Sequence, residues 1–207
     1  MSRGSTHRTI AVTRRCLSIH RLTTVSCSSR SNPRVSNDNL IKLIRTIPDV
    51  PSPGIMFRDI TPLLGDAEGF RQTIAALIDA SPSRTVNKVV GVEARGFILA
   101  APVAEELGAG FVPVRKPGKL PWNVVSQDYE LEYGTDRLEI HEDAVGHGDT
   151  VLIVDDVLAT GGTAEATIRL VEGLGATVAG LVFLIELDAL GGREKLGDYP
   201  VASVLHF

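Results

Sequence analysis

Two unbroken apolar runs, VVGV (Val89 to Val92) and VLIV (Val151 to Val154), are each followed by a polar turn and then a helical pattern. The first turn is EARG, with a helix predicted over Phe97 to Leu107. The second is DDVLATGG, with a helix predicted over Thr163 to Leu174. Between them FVPVR runs into the loop KPGKLPW, and a last apolar run spans Val178 to Ile185. A Val/Ile/Leu run with no polar face belongs to a strand covered on both sides, and intervening helices make neighbouring strands parallel. The pattern predicts an α/β fold: one doubly wound parallel sheet with helices on both faces.

Upstream the periodicity changes. Ser36-Asn37-Asp38 offers a helix cap, and Leu40, Ile41, Leu43, Ile44 and Ile47 follow at helical spacing until Pro48. The next stretch, VPSPGIMFRDITPLL, has three prolines and a glycine and is expected to be irregular. Gly69 to Ala80 then reads as a helix with Phe70, Ile74, Leu77 and Ile78 on one face.

Charge separates the chain into two parts. Residues 1–36 hold seven arginines, no lysine and no acid, and are rich in Ser and Thr. That composition fits an organelle presequence or a disordered leader, so the domain is expected over residues 37–207. The whole chain has 21 basic and 25 acidic residues; without the leader, 14 basic face 25 acidic, a net of −11. Such a body is a poor partner for nucleic acid, which needs phosphates neutralised. An anionic ligand must instead be held locally. Both cysteines, Cys16 and Cys27, lie in the leader, which excludes a disulfide scaffold and suits a reducing compartment. No run approaches the length of a membrane-spanning helix.

The strongest chemical signal is VLIVDDVLATGGT. In open α/β sheets, ligands bind at the carboxyl ends of the strands, where Asp155 and Asp156 are expected to emerge. Ala159, Thr160, Gly161, Gly162 and Thr163 then lead into a helix. Two glycines allow close backbone approach, and successive N–H groups at a helix start suit a phosphate. The paired carboxylates cannot bind phosphate, so they face sugar hydroxyls or a hydrated Mg²⁺. Neither a Walker loop nor a dinucleotide motif is present.

A strand ending in two acids and running into ATGGT resembles the ribose-5-phosphate motif of the type I phosphoribosyltransferases. The likeness continues through VPSPGIMFRDITPLL, GVEARGFILAAPVAEELG, VRKPGKLPW, YELEYG and FLIELDALGGREKL, from about Asp38 to Phe207. These segments resemble the adenine-specific branch of that family. The resemblance implies transfer of phosphoribose from phosphoribosyl pyrophosphate to adenine with Mg²⁺, the ion held mainly by the substrate and waters. It places the 5-phosphate on Ala159 to Thr163 and the ribose hydroxyls on Asp155 and Asp156. Glu93, Ala94 and Arg95 become the pyrophosphate loop, with a cis peptide expected at Glu93–Ala94. The alternative for Arg95 is an ion pair with Glu93 or Glu106.

By the same resemblance Arg115, Lys116 and Lys119 belong to a mobile hood near the pyrophosphate, whose closure excludes water. Ile55, Phe57 and Arg58 fall in the base-recognition region, a small N-terminal hood. There the backbone reads adenine's edge while Phe57 and Leu187 sandwich the ring. Glu132, in LEYG, resembles a glutamate near purine N7, suited to acid–base exchange when burial tunes it. Glu132, Arg95 and Asp156 are thus the expected catalytic groups.

Oxopurines call for a donor opposite O6, usually lysine. None lies between Ile55 and Arg58, which favours adenine. A sensor built on this fold that binds DNA or RNA conflicts with the acidic body. The resemblance implies a homodimer and cytoplasmic salvage, with an organelle left open by residues 1–36.

Overall fold

Alternate residues of the apolar runs enter two different cores. Val89, Leu152 and Val154 belong to one buried cluster, and Val90, Val92 and Ile153 to another. Each run is therefore buried on both faces, which is why it carries no polar alternation. The computed structural model describes residues 37–83, 85–130 and 134–207, all within one compact unit. The leader over 1–36 and Glu132 lie outside the described residues.

The elements run α1 (Asn37–Lys42), β1 (Arg45–Pro48), β2 (Met56–Asp59), α2 (Thr61–Gly65), α3 (Ala67–Ala80), β3 (Lys88–Val92), α4 (Arg95–Leu107) and β4 (Gly110–Val114). They continue with β5 (Val124–Glu130), β6 (Thr135–His141), β7 (Thr150–Leu158), α5 (Gly162–Gly173), β8 (Thr177–Glu186) and β9 (Val201–His206). Two short 3₁₀ turns, Asp188–Leu190 and Gly192–Leu196, connect β8 to β9.

The central sheet has the order β4-β3-β7-β8-β9, and every neighbouring pair in it is parallel. On one face, Ile74 and Leu77 of α3 and Leu99 and Val103 of α4 close the first core. On the other, Ile168 and Val171 of α5 join Leu138 and Ile140 of β6. The expected doubly wound α/β fold is present. The chain leaves β3 toward β4 on one side, while β7 lies on the other, so β3 and β7 flank the topological switch point. Their carboxyl ends open a crevice there.

Three local expectations need correction. The helix expected to reach Ile47 stops at Lys42, and Arg45–Pro48 is a strand. β-branched Thr46 and Ile47 pair with Arg58 and Phe57 of β2, a partner that local helical spacing cannot reveal. The stretch expected to be irregular contains β2 and α2. Pro51 and Pro53 fall in the connecting loop, and Pro62 sits in the first turn of α2, where a missing N–H costs little. Finally, β7 runs past VLIV to Leu158, because β8 continues beside it through Ile185 and Glu186. Asp155 and Asp156 therefore lie inside the strand rather than beyond it. The β5–β6 hairpin and β9 complete the fold without having been anticipated.

Candidate active site

A cleft of about 480 Å³ opens at the switch point between β3 and β7. Its floor carries Val92, Asp155, Asp156 and Val157, its phosphate-loop side Ala159 and Thr163, and its far side Ile55, Met56, Phe57, Arg58 and Leu187. Glu93, Ala94, Arg95 and Lys116 close it above β3. Of the expected site residues, these include Ile55, Phe57, Arg58, Glu93, Ala94, Arg95, Lys116, Asp155, Asp156, Ala159, Thr163 and Leu187. Thr160, Gly161 and Gly162 form the adjoining backbone without lining the cleft, and Arg115 and Lys119 stand outside it.

The loop leaving β7 is shaped by backbone. Gly161 is left-handed (φ +83°) and forms the N-cap of α5, so the turn that aims successive N–H groups needs glycine. At the other strand, the Glu93–Ala94 peptide is cis, and α4 starts at Arg95. Gly96 lets that helix end pack on β7, since a Cβ there would lie 2.5 Å from Asp155 Oδ1.

The two aspartates are unequal. Arg95 Nε donates to the Asp156 carboxylate, a residue only 7% exposed, so the alternative pairing of Arg95 with Glu93 or Glu106 is not the one formed. Its guanidinium also lies 5.4 Å from the centroid of Phe57, linking the floor to the base side. Asp155 accepts from the Asp156 N–H at 2.9 Å. Burial first, and then the Asp156 charge, push its carboxyl well above the usual aspartate range.

Glu93 organises the hood. Its carboxylate accepts from Lys119 Nζ, from the Lys116 backbone N–H at 3.1 Å and from Arg115 Nε at 3.1 Å. Burial alone raises its pKa, and these three donors more than offset that, holding it below the ordinary value. Lys116 Nζ donates to Tyr129 Oη at 2.7 Å and to Asp136. Burial lowers its pKa, but Asp136 and Tyr129 keep it above the usual lysine range. Every hood cation is thus matched to an acid. Sequence reasoning missed Tyr129 and Asp136, although the alternation of buried Leu138 and Ile140 marks β6 and so places Asp136 opposite Tyr129.

At the far side, Asp49 is left-handed (φ +60°) and accepts from Gly54 N–H at 2.7 Å, which folds VPSPGI tightly. Ile55 already donates to Ser52 O and accepts from Val50 N–H. Arg58 donates to Thr46 Oγ1 at 2.5 Å and lies 4.2 Å from the Phe207 ring centroid.

The sequence and the fold both match one set of proteins. The phosphoribosyl transferase domain family matches residues 68–205. An adenine phosphoribosyltransferase of Methylococcus capsulatus is 59% identical over 170 residues, covering 82% of this chain and 99% of that protein. The chain belongs to the adenine phosphoribosyltransferase family. The crystal structure of the family member from Thermoanaerobacter pseudethanolicus is 52% identical, with a TM-score of 0.81 over 83% of this chain and all of that one. The Saccharomyces cerevisiae enzyme, solved with an imino-altritol bisphosphate and adenine, is 42% identical, with a TM-score of 0.76 over 81% of this chain and 97% of that one. The phosphoribosyltransferase fold thus spans the described residues, with the β1–β2 hairpin preceding the matched domain.

Proposed function

We infer that the chain catalyses purine salvage, joining adenine to 5-phosphoribosyl 1-pyrophosphate to give AMP and pyrophosphate. The observation that carries this reading is the cleft itself: Ala159 and Thr163, the two ends of the glycine-bent turn into α5, line one side, and apolar Phe57 and Leu187 line the far side. The 5-phosphate takes the Ala159–Thr163 backbone, with hydroxyls from Thr160 and Thr163. Asp155 and Asp156 face the ribose hydroxyls, and adenine enters between Phe57 and Leu187. The sugar C1 becomes oxocarbenium-like as its bond to the pyrophosphate oxygen breaks. N9 of the N7–H tautomer then forms the new bond, and Glu132 accepts the N7 proton, returning it in the reverse direction.

The leaving pyrophosphate falls to Glu93–Ala94 backbone, Arg95, Arg115, Lys116 and Lys119. Those cations rest on Asp156, Glu93 and Asp136, so the polyanion binds by exchanging partners with carboxylates. Mg²⁺ neutralises the pyrophosphate when it is bound. Asp156 is committed to Arg95, and Asp155 is driven toward its neutral form. The one three-donor cluster among the described residues, Glu186, Asp188 and His206, does not line the cleft. That donor set fits an ion carried in by the substrate rather than one caged by protein.

No helix among the described residues is long and apolar enough to cross a membrane. A cytoplasmic site fits the cysteine-free body. A homodimer is supported by exposed apolar side chains, with Trp122 at 66% and Ile98 and Phe111 also open. The residues 37–207 form the working domain in this reading.

The test is pyrophosphate release with phosphoribosyl pyrophosphate and Mg²⁺, offering adenine, hypoxanthine, xanthine and guanine in parallel. Turnover with adenine alone is expected. Turnover with an oxopurine would overturn the reading of the Ile55–Arg58 side.

A further inference from the structure

Between β8 and β9 the chain makes a detour, residues 187–196, that touches both ends of the cleft. Leu187 lines the base side, and its N–H donates to Leu158 O, the last residue of β7, at 2.9 Å. Five residues later, Gly192 lies against the phosphate loop. A Cβ on Gly192 would stand 2.1 Å from Ala159 O and 2.9 Å from Gly161 N. Reciprocally, a Cβ on Gly161 would stand 2.5 Å from Gly192 O. The contact is backbone against backbone, so no side chain can swing aside to relieve it.

The detour is also tied down. Arg193 donates to Glu186 through Nε at 3.0 Å and Nη2 at 2.5 Å, and through Nη1 to Val201 O at 2.7 Å. Glu186 is only 6% exposed and also accepts from Ser203 Oγ at 2.6 Å. Leu196, at 2% exposure, pins the far end in the core. A bidentate guanidinium fixes direction as well as distance. The fork therefore joins β8, β9 and the detour into one rigid corner, with Gly192 immediately before the arginine.

We propose that this corner is a brace that sets the shape of the phosphate loop, with Gly192 as its contact residue and Arg193 as its anchor. Both are positioning residues: neither lines the cleft, and each acts through Ala159 and Gly161. The proposal rests on the reading that Ala159–Thr163 hold the 5-phosphate.

Steady-state kinetics of Gly192→Ala, Arg193→Gln, Thr163→Ala and the control Gly173→Ala test it, with thermal unfolding of each variant alongside. Gly173 has no atom within 4 Å of a Cβ position and serves as a neutral glycine change. Gly192→Ala is expected to raise KM for phosphoribosyl pyrophosphate by about tenfold while KM for adenine moves less than about twofold, the mark of lost substrate binding at one end only. Arg193→Gln removes the fork without adding bulk, and is expected to raise the same KM by a few-fold. Should Gly192→Ala fail to fold, Arg193→Gln decides. The brace is overturned if folded Gly192→Ala keeps the wild-type KM, or if Arg193→Gln lowers the unfolding temperature and moves neither KM. If Thr163→Ala also leaves that KM unchanged, it is the phosphate-loop reading that fails.

Discussion

The two ends of the cleft are built from different materials. The end at the β7–α5 loop is backbone: Gly161 bends the loop into α5, and Gly192 presses against it main chain to main chain. The hood is side chain: Lys119, Arg115 and Lys116, all in the loop after β4, reach Glu93 and Asp136. A backbone cradle holds one shape whether or not ligand is present. The hood's ion pairs are half-buried, and each cation can exchange a carboxylate for an incoming anion without being left unpaired. In the proposed reading, recognition of the 5-phosphate falls to the rigid end and capture of the departing polyanion to the adaptable one.

The largest expected effect attacks the rigid end. Gly161→Ala puts a side chain at φ +83° and 2.5 Å from Gly192 O. It should lower kcat/KM for phosphoribosyl pyrophosphate by about 100-fold, the scale of losing a preorganised donor. Next comes the Arg95–Asp156 pair, which joins the two materials. Each alanine variant should cost about 30-fold in kcat/KM, or about 2 kcal/mol for a hydrogen bond between charged groups. The double variant should be little worse than either single one, with a coupling of about 1–3 kcal/mol in the cycle. Strict additivity would separate the two ends.

A smaller and more selective loss is expected from Phe57→Ala. It should raise KM for adenine by about tenfold, the stacking worth of one base face, and leave KM for phosphoribosyl pyrophosphate within about twofold. A rise in both constants would mean that Phe57 acts through the Arg95 guanidinium above its ring.

The smallest effects are in stability, and the two ends should show opposite signs. Burial and the Asp156 charge raise the Asp155 pKa. Its cost to folding is absent below the ordinary aspartate value of about 3.9 and grows as pH rises toward the elevated folded value. Asp155→Asn should thus unfold at a higher temperature than wild type at pH 7, with the gap closing toward pH 4. Glu93 is lowered, since its three donors outweigh burial. Its contribution is complete above the ordinary glutamate value of about 4.3 and is lost as pH falls through the lowered one. Glu93→Gln should unfold at a lower temperature at pH 7, with the gap closing only below that value. Thermal scans from pH 3 to pH 8 check both.

The same contrast explains what the sequence disclosed. VLIVDDVLATGGT is contiguous, so strand, acids, turn and helix start are legible together, and the parallel sheet follows from runs buried on both faces. Asp136 and Tyr129 meet across a hairpin that only the alternation around Leu138 and Ile140 hints at, and Gly192 reaches Gly161 by tertiary contact that no local pattern announces. The β1 segment shows the converse. Ile47 keeps helical spacing with Ile44, but pairing of Arg45–Pro48 with β2 decides its conformation. The prolines of VPSPGIMFRDITPLL suggest broken structure throughout, but they occupy the loop and helix-start positions that leave Met56–Asp59 free to pair.

The most direct test of this division of labour is a crystal structure of the chain with AMP. The account predicts the 5-phosphate on the N–H groups of Ala159–Thr163, with adenine between Phe57 and Leu187 and Gly192 unmoved against the loop. A phosphate seated instead among Arg115, Lys116 and Lys119, with the base turned away from Phe57, would contradict it.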